Sequence, residues 1–125
     1  MFIDTKGRIL VNEMAPRPHN SGHYTIEGCV TSQFENHIRS VLNLPLGSTE
    51  LVKKYAVMIN LLGKREGEGV IQNYKESLID PNLHLHIYGK AKSRVGRKMG
   101  HITIVSDNLN RILRKAKKIE KKIIV

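Results

Sequence analysis

Tryptophan is absent, phenylalanine occurs twice and tyrosine four times, so a core built from this chain has to be mainly aliphatic. A single cysteine, Cys29, rules out an internal disulfide and suits a reducing cytosol. Flanked by Gly28 and Val30, it reads as a small buried residue rather than a nucleophile. No apolar run approaches the roughly 20 residues that a membrane span needs. The N-terminus lacks the basic segment followed by an apolar one that marks a secretory signal. Internal repeats and low-complexity tracts are missing too. At 125 residues, 40% of them hydrophobic, the chain can form at most one compact domain with a modest core.

Acidic residues are scarce in the second half. Residues 1–50 carry four basic and five acidic side chains, whereas residues 51–125 carry seventeen basic and six acidic. The net charge of +10 therefore belongs to the back half. Such a surface attracts phosphate, on a nucleotide or on nucleic acid.

Chemistry-bearing residues are densest in the stretch from Asn12 to His23. It follows the apolar run Ile9-Leu10-Val11, which places it at the end of a strand. It gathers an amide (Asn12), a carboxylate (Glu13), an arginine (Arg17), His19, Asn20, Ser21 and His23. Pro16 and Pro18 stiffen its backbone by fixing φ. A carboxylate beside an arginine and imidazoles at a strand end can hold Mg²⁺ and phosphate together. A second concentration runs from Lys90 to Lys98, with five cations in nine residues. Gly89, Gly96 and Gly100 around it let a backbone come close to a ligand.

The pattern between these stretches predicts an α+β fold. Phe2-Ile3 and Ile9-Leu10-Val11 flank a turn and form a hairpin. A helix starts at Ser32, with Ser32 and Glu35 spaced as a capping box, and Phe34, Ile38, Val41 and Leu42 share one face. Leu44-Pro45-Leu46-Gly47 ends it. Tyr55–Leu62 reads as a strand buried on both faces, residues 63–69 as a charged loop, and Val70–Ile79 as a short helix. Asp80-Pro81-Asn82 is a turn. Leu83–Tyr88 alternates, with Leu83, Leu85 and Ile87 opposite His84, His86 and Tyr88. A strand over Gly100–Ser106 turns Ile102 and Ile104 inward. A last helix, capped by Ser106 or Asp107, carries a stripe of Leu109, Ile112, Leu113, Ala116, Ile119 and Ile123.

In order and spacing, Asn12-Glu13-x-Ala15-Pro16-Arg17-x-His19-Asn20-Ser21-Gly22-His23 resembles the motif of the N5-carboxyaminoimidazole ribonucleotide synthetase family, ATP-grasp enzymes of purine biosynthesis. Tyr88-Gly89-Lys90 and Gly96-Arg97-Lys98-Met99-Gly100-His101 resemble that family's C-terminal signature. Ser32-Gln33-Phe34-Glu35-Asn36-His37 and Leu44-Pro45-Leu46-Gly47 fall between them in the expected order. The resemblance runs from about Met1 to Val105 and covers roughly the last third of the family's length. It implies that residues 1–50 end an ATP-grasp domain and that residues 51–125 form a small C-terminal subdomain. The nucleotide flap and the adenine pocket would lie upstream. The chain is thus a split subunit, a truncated product or a fragment, needing an N-terminal ATP-grasp part, in trans if that part is a separate chain.

The resemblance also implies roles. Glu13 would bind the Mg²⁺ that bridges the phosphates of ATP, with Asn12 beside it. Bicarbonate would attack the γ-phosphate to give carboxyphosphate, which delivers CO₂ to the amine of aminoimidazole ribonucleotide. Arg17, His19 and Asn20 would hold that anionic intermediate. Lys90 and Arg97 would hold the ribonucleotide's phosphate, with Lys98 beside them in a basic loop that otherwise reads as a solvated hairpin tip. His23 is either loop packing or a substrate contact, and His101 has no assigned role. Family members are commonly dimers, and an apolar surface left by truncation favours self-association as well.

Two features read as plain structure. His84-x-His86 has a metal-binding spacing but no third ligand in sequence, so half-exposed strand residues fit it better. The seven basic residues among Arg111–Lys122 read as the solvated face of the last helix. A non-catalytic polyanion-binding module and an inactive remnant are the competing readings. The first is motivated by the charge of the back half but leaves the front motif unexplained, and no stacking aromatics accompany the basic helix.

Overall fold

Hydrophobic alternation and helical periodicity fix most of the elements in the computed structural model, which describes residues 1–125. The short strands β1 (Phe2–Ile3) and β2 (Ile9–Leu10) pair antiparallel. Gly7, at φ 76°, supplies the left-handed residue of their turn. A 3₁₀ turn at Asn20–Gly22 leads into the single-turn helix α1 (Thr25–Gly28) and then α2 (Gln33–Val41). The strands β3 (Tyr55–Leu62), β4 (Gly67–Glu68), β5 (Leu83–Ile87), β6 (Lys92–Ser93) and β7 (Lys98–Ser106) follow, with a 3₁₀ helix at Lys75–Ile79 between β4 and β5. Helix α3 (Leu109–Lys122) closes the chain. The expected α+β class is what the chain adopts, and no helix is long and apolar enough to cross a membrane.

The main sheet is antiparallel in the order β3-β7-β5. Its central strand β7 is buried from Met99 to Val105. On one face Ile102 and Ile104 meet Ile112, Ala116 and Ile119 of α3, with Ile123 and Val125 behind them. The register slips between Leu61 and Leu62, leaving Met99 without a partner in β3, and Met99 joins this core. The opposite face carries His101 and Thr103, both buried. Helix α1 packs on β7, so this second face carries polar groups between the front segment and the sheet.

Several local expectations are corrected. The strand buried on both faces is β7, not Tyr55–Leu62; β3 lies at the sheet edge and buries only Leu61. The capping box is half formed. Ser32 Oγ accepts from the Glu35 amide at 3.1 Å, but the Glu35 carboxylate turns to Arg39 at 2.6 Å, an i,i+4 ion pair. Helix α3 is capped by Asn108 rather than Ser106 or Asp107, because Asp107 accepts from the Lys54 amide and pairs with Lys53. The helix expected over Val70–Ile79 shrinks to its 3₁₀ end, since Gln72 bridges Ile124 and Asn73 sits at φ 60°. The last helix's stripe is narrower than expected, with Leu109 and Leu113 partly exposed at its margin.

The front segment has little core of its own. Within residues 1–50 only Gly28, Cys29 and Thr31 are buried. The apolar stripe of α2 (Phe34, Ile38, Val41 and the following Leu42) faces solvent, as do β1 and β2.

Candidate active site

The loop after β2 divides into a free half and an anchored half. Asn12, Glu13 and Arg17 lie exposed, and Arg17 touches only the carbonyl of Pro18, at 3.3 Å. From His19 onward the loop is tied down. The His19 side chain caps the 3₁₀ turn, its Nδ1 lying 2.9 Å from Ser21 Oγ. Gln33, the first residue of α2, accepts from the His19 amide and donates to its carbonyl, both at 2.9 Å. The same amide group donates to His23 Nδ1 at 2.8 Å. Being an acceptor, that nitrogen carries no proton. Burial, with His19, His86 and Lys98 nearby, holds the His23 imidazole below its ordinary titration range.

Asn20 joins this loop to the sheet. Its Nδ2 donates to Asn60 Oδ1 of β3 at 2.9 Å and points to the Tyr88 hydroxyl at 3.5 Å. Its Oδ1 accepts from Lys98 Nζ at 2.8 Å. Lys90 Nζ sits 5.7 Å from the centre of the Tyr88 ring and donates to the Lys98 carbonyl at 2.6 Å. Two stretches 78 residues apart in sequence thus meet at one hydrogen bond.

Behind Asn20 lies a stack of aromatic and imidazole rings. Tyr88 Oη is 3.0 Å from His101 Nδ1. The His101 ring stacks on His86 at 4.3 Å with an 8° tilt, and His86 Nε2 is 2.7 Å from Glu27 Oε1 of α1. His101 is 2% exposed, and its Nε2 has no partner. Burial first, then His86 and His23, push its pKa down to about 4, so it is neutral at physiological pH. The same burial raises the Tyr88 phenol.

The structure separates the expected phosphate clamp. Lys90 and Lys98 lie beside Asn20. Arg97, next in the chain to Lys98, turns the other way: its Nη1 donates to the Lys92 carbonyl at 2.9 Å. It lines a separate wide groove with Glu66, Glu68, Lys92 and Arg94. His86 is held by Glu27, while His84 lies elsewhere on β5 and shares no such contact. No group of three or more His, Cys, Asp or Glu side chains comes together as a metal site. The parts that sequence reasoning missed are Gln33, Asn60, Glu27 and the link through Tyr88. The one available signal was the shared face of His84, His86 and Tyr88, which placed two of the rings on one side of β5.

An exposed loop that can meet phosphate, seated on a small antiparallel subdomain with a lysine lip, is the arrangement of the C-terminal portion of an ATP-grasp protein. Comparison with known proteins agrees. The family model for the phosphoribosylaminoimidazole carboxylase C-terminal domain matches residues 56–115, and that for the ATP-grasp domain matches residues 1–34. The chain belongs to the N5-carboxyaminoimidazole ribonucleotide synthetase family and corresponds to its C-terminal portion.

It is 53% identical over 113 residues to the phosphoribosylaminoimidazole carboxylase of Schizosaccharomyces pombe, covering 86% of this chain and 20% of that protein. It is 52% identical over 114 residues to the N5-carboxyaminoimidazole ribonucleotide synthase of Vibrio cholerae, covering 91% and 28%. The crystal structure of the Thermotoga maritima synthetase superposes with a TM-score of 0.91 at 55% identity, over 99% of this chain and 35% of that one. The Aspergillus clavatus synthase, solved with ADP and 5-aminoimidazole ribonucleotide, gives 0.85 at 36% identity, over 97% and 33%. The chain therefore spans between a fifth and about a third of the length of these relatives.

Proposed function

We propose that this chain supplies the phosphoryl-handling loop and the substrate lip of an ATP-dependent carboxylation of 5-aminoimidazole ribonucleotide, a carbon–nitrogen ligation of purine biosynthesis. The observation that carries the reading is the 2.8 Å bond from Lys98 to Asn20, which joins the two motif stretches into one polar site. Residues 1–50 serve as the end of the ATP-grasp domain and residues 51–125 as the C-terminal subdomain. The remaining ATP-grasp parts come from an N-terminal portion.

In this reading a bicarbonate oxygen attacks the γ-phosphorus of ATP, the bond to ADP breaks, and carboxyphosphate forms. The ribonucleotide amine then takes up the carboxyl carbon as phosphate leaves and the nitrogen loses its proton. Arg17 is unpaired and can swing onto the phosphoryl oxygens, while His19 and Asn20 are held at the loop's anchored end. Lys90 and Lys98 face the same space and take the ribonucleotide phosphate. Arg97, turned into the separate groove, stays outside this grip, and His23 lies behind Gln33. Glu13 is an exposed hard-oxygen donor, and Mg²⁺ asks a protein for only one or two carboxylates beside phosphate oxygens. Glu13, with Asn12 next to it, fits that demand as one ligand of a shared shell. Bound there, Mg²⁺ neutralises charge on the phosphates. The cytoplasm suits Cys29, and the exposed stripe of α2 suits an oligomeric assembly such as a dimer.

The test is a chimera in which these 125 residues replace the matching portion of the Thermotoga maritima synthetase. ADP release that depends on both bicarbonate and aminoimidazole ribonucleotide supports the reading. A folded chimera without that dependence refutes it.

A further inference from the structure

Tyr88 stands where three groups of the site converge. Its hydroxyl lies 3.5 Å from Asn20 Nδ2 and 3.0 Å from His101 Nδ1, and its ring carries Lys90 Nζ at 5.7 Å. With Asn20 donating into the phenol oxygen, the phenol's own hydrogen is directed to Nδ1 of the neutral imidazole. That imidazole cannot turn away. It is buried, stacked on His86, and His86 is pinned by Glu27. The chain of contacts is thus rigid at its buried end and ends at the exposed side chains that meet substrate in the reading above.

We propose that Tyr88, held in place by His101, is a positioning residue that sets the orientation of the Asn20 amide and the placing of Lys90 and Lys98. The amide of Asn20 has to present Oδ1 to Lys98 and its hydrogens to Asn60 and Tyr88. Without the Tyr88 hydroxyl, one of those hydrogens loses its partner and the amide loses one of its three fixed points. Loosening it releases the Lys98 ammonium, while Lys90 is placed by the Tyr88 ring and the Lys98 main-chain carbonyl.

The inference rests on the proposed carboxylation, and its test separates the two. In the active chimera, Tyr88→Phe keeps the ring under Lys90 and removes only the hydroxyl. The expected result is a fall of roughly fivefold to tenfold in kcat/KM for aminoimidazole ribonucleotide, the worth of one hydrogen bond, with KM for ATP unchanged. Because the effect passes through Asn20, Tyr88→Phe adds little in an Asn20→Ala background. His101→Asn, which places an amide where Nδ1 stands, retains more of the activity than His101→Leu. Unchanged ribonucleotide kinetics in Tyr88→Phe, or full additivity with Asn20→Ala, overturns the positioning role while leaving the carboxylation intact. A folded parent chimera with no ribonucleotide-dependent ADP release overturns the carboxylation reading and this inference with it.

Discussion

Acidifying this protein should loosen it well before its carboxylates titrate, because His101 is buried neutral. Its folded pKa is about 4 against an ordinary 6.5. Between those values the unfolded chain binds more proton than the folded one, so stability falls as pH drops below about 6.5 and levels off below about 4. The gap corresponds to roughly 3 kcal/mol in full, of which about 2 kcal/mol is gone by pH 5. Against a usual total of about 5–15 kcal/mol, that is a large share. His23 is lowered too and adds in the same direction. The ion-paired carboxylates of Asp80 and Glu76 are held below their ordinary range by Lys115 and Lys122, so their contribution is lost only at still lower pH. Urea unfolding followed by far-ultraviolet circular dichroism at pH 7.5 and pH 5 measures the difference, and His101→Asn is the control. The variant should lose most of the dependence in this window and keep only the share of His23. An unchanged slope in His101→Asn would show that His101 is not neutral by burial, and the reasoning would fail.

Further outcomes follow from other parts of the structure. Glu13→Gln in the chimera should cut ADP release by at least 100-fold without moving the unfolding midpoint, since the side chain is exposed; near-normal turnover would remove Glu13 from the metal shell. Gly69→Ala should destabilise the β4–β6 ribbon, because a Cβ there would collide with the Lys90 carbonyl; urea unfolding should report a loss of at least about 1 kcal/mol. Ser32→Ala should cost about 1 kcal/mol through the lost α2 cap, read by the same unfolding experiment. Ile112→Ala, at the centre of the aliphatic core, should cost about 2–5 kcal/mol, and a smaller loss would mean that α3 is not seated on β7 as described.

Local rules made much of this fold legible. Tyr55–Leu62 and the start of α2 at Ser32 stand where the apolar run and the capping residue put them. Both belong to one continuous segment whose periodicity speaks for itself. Burial was harder to read. An apolar run such as β3 fits a central or an edge position equally well, and only pairing with β7 on one side decides it. The choice of Asn108 over Asp107 as cap also depended on a distant partner, the Lys54 amide. In the loop, the residue types Asn12, Glu13, Arg17, His19 and Asn20 marked a candidate phosphate site, but not which of them is anchored.

The sequence by itself determined the kinds of chemistry present, the α+β class and the ordered motifs of the family, because those depend on residue type and short spacing. Only the tertiary structure decided that Lys98 reaches Asn20 while Arg97 turns away, and that Tyr88 and His101 stand between the two motifs. Adjacent residues around a strand point to opposite sides, and cross-strand register brings together side chains that no local pattern connects.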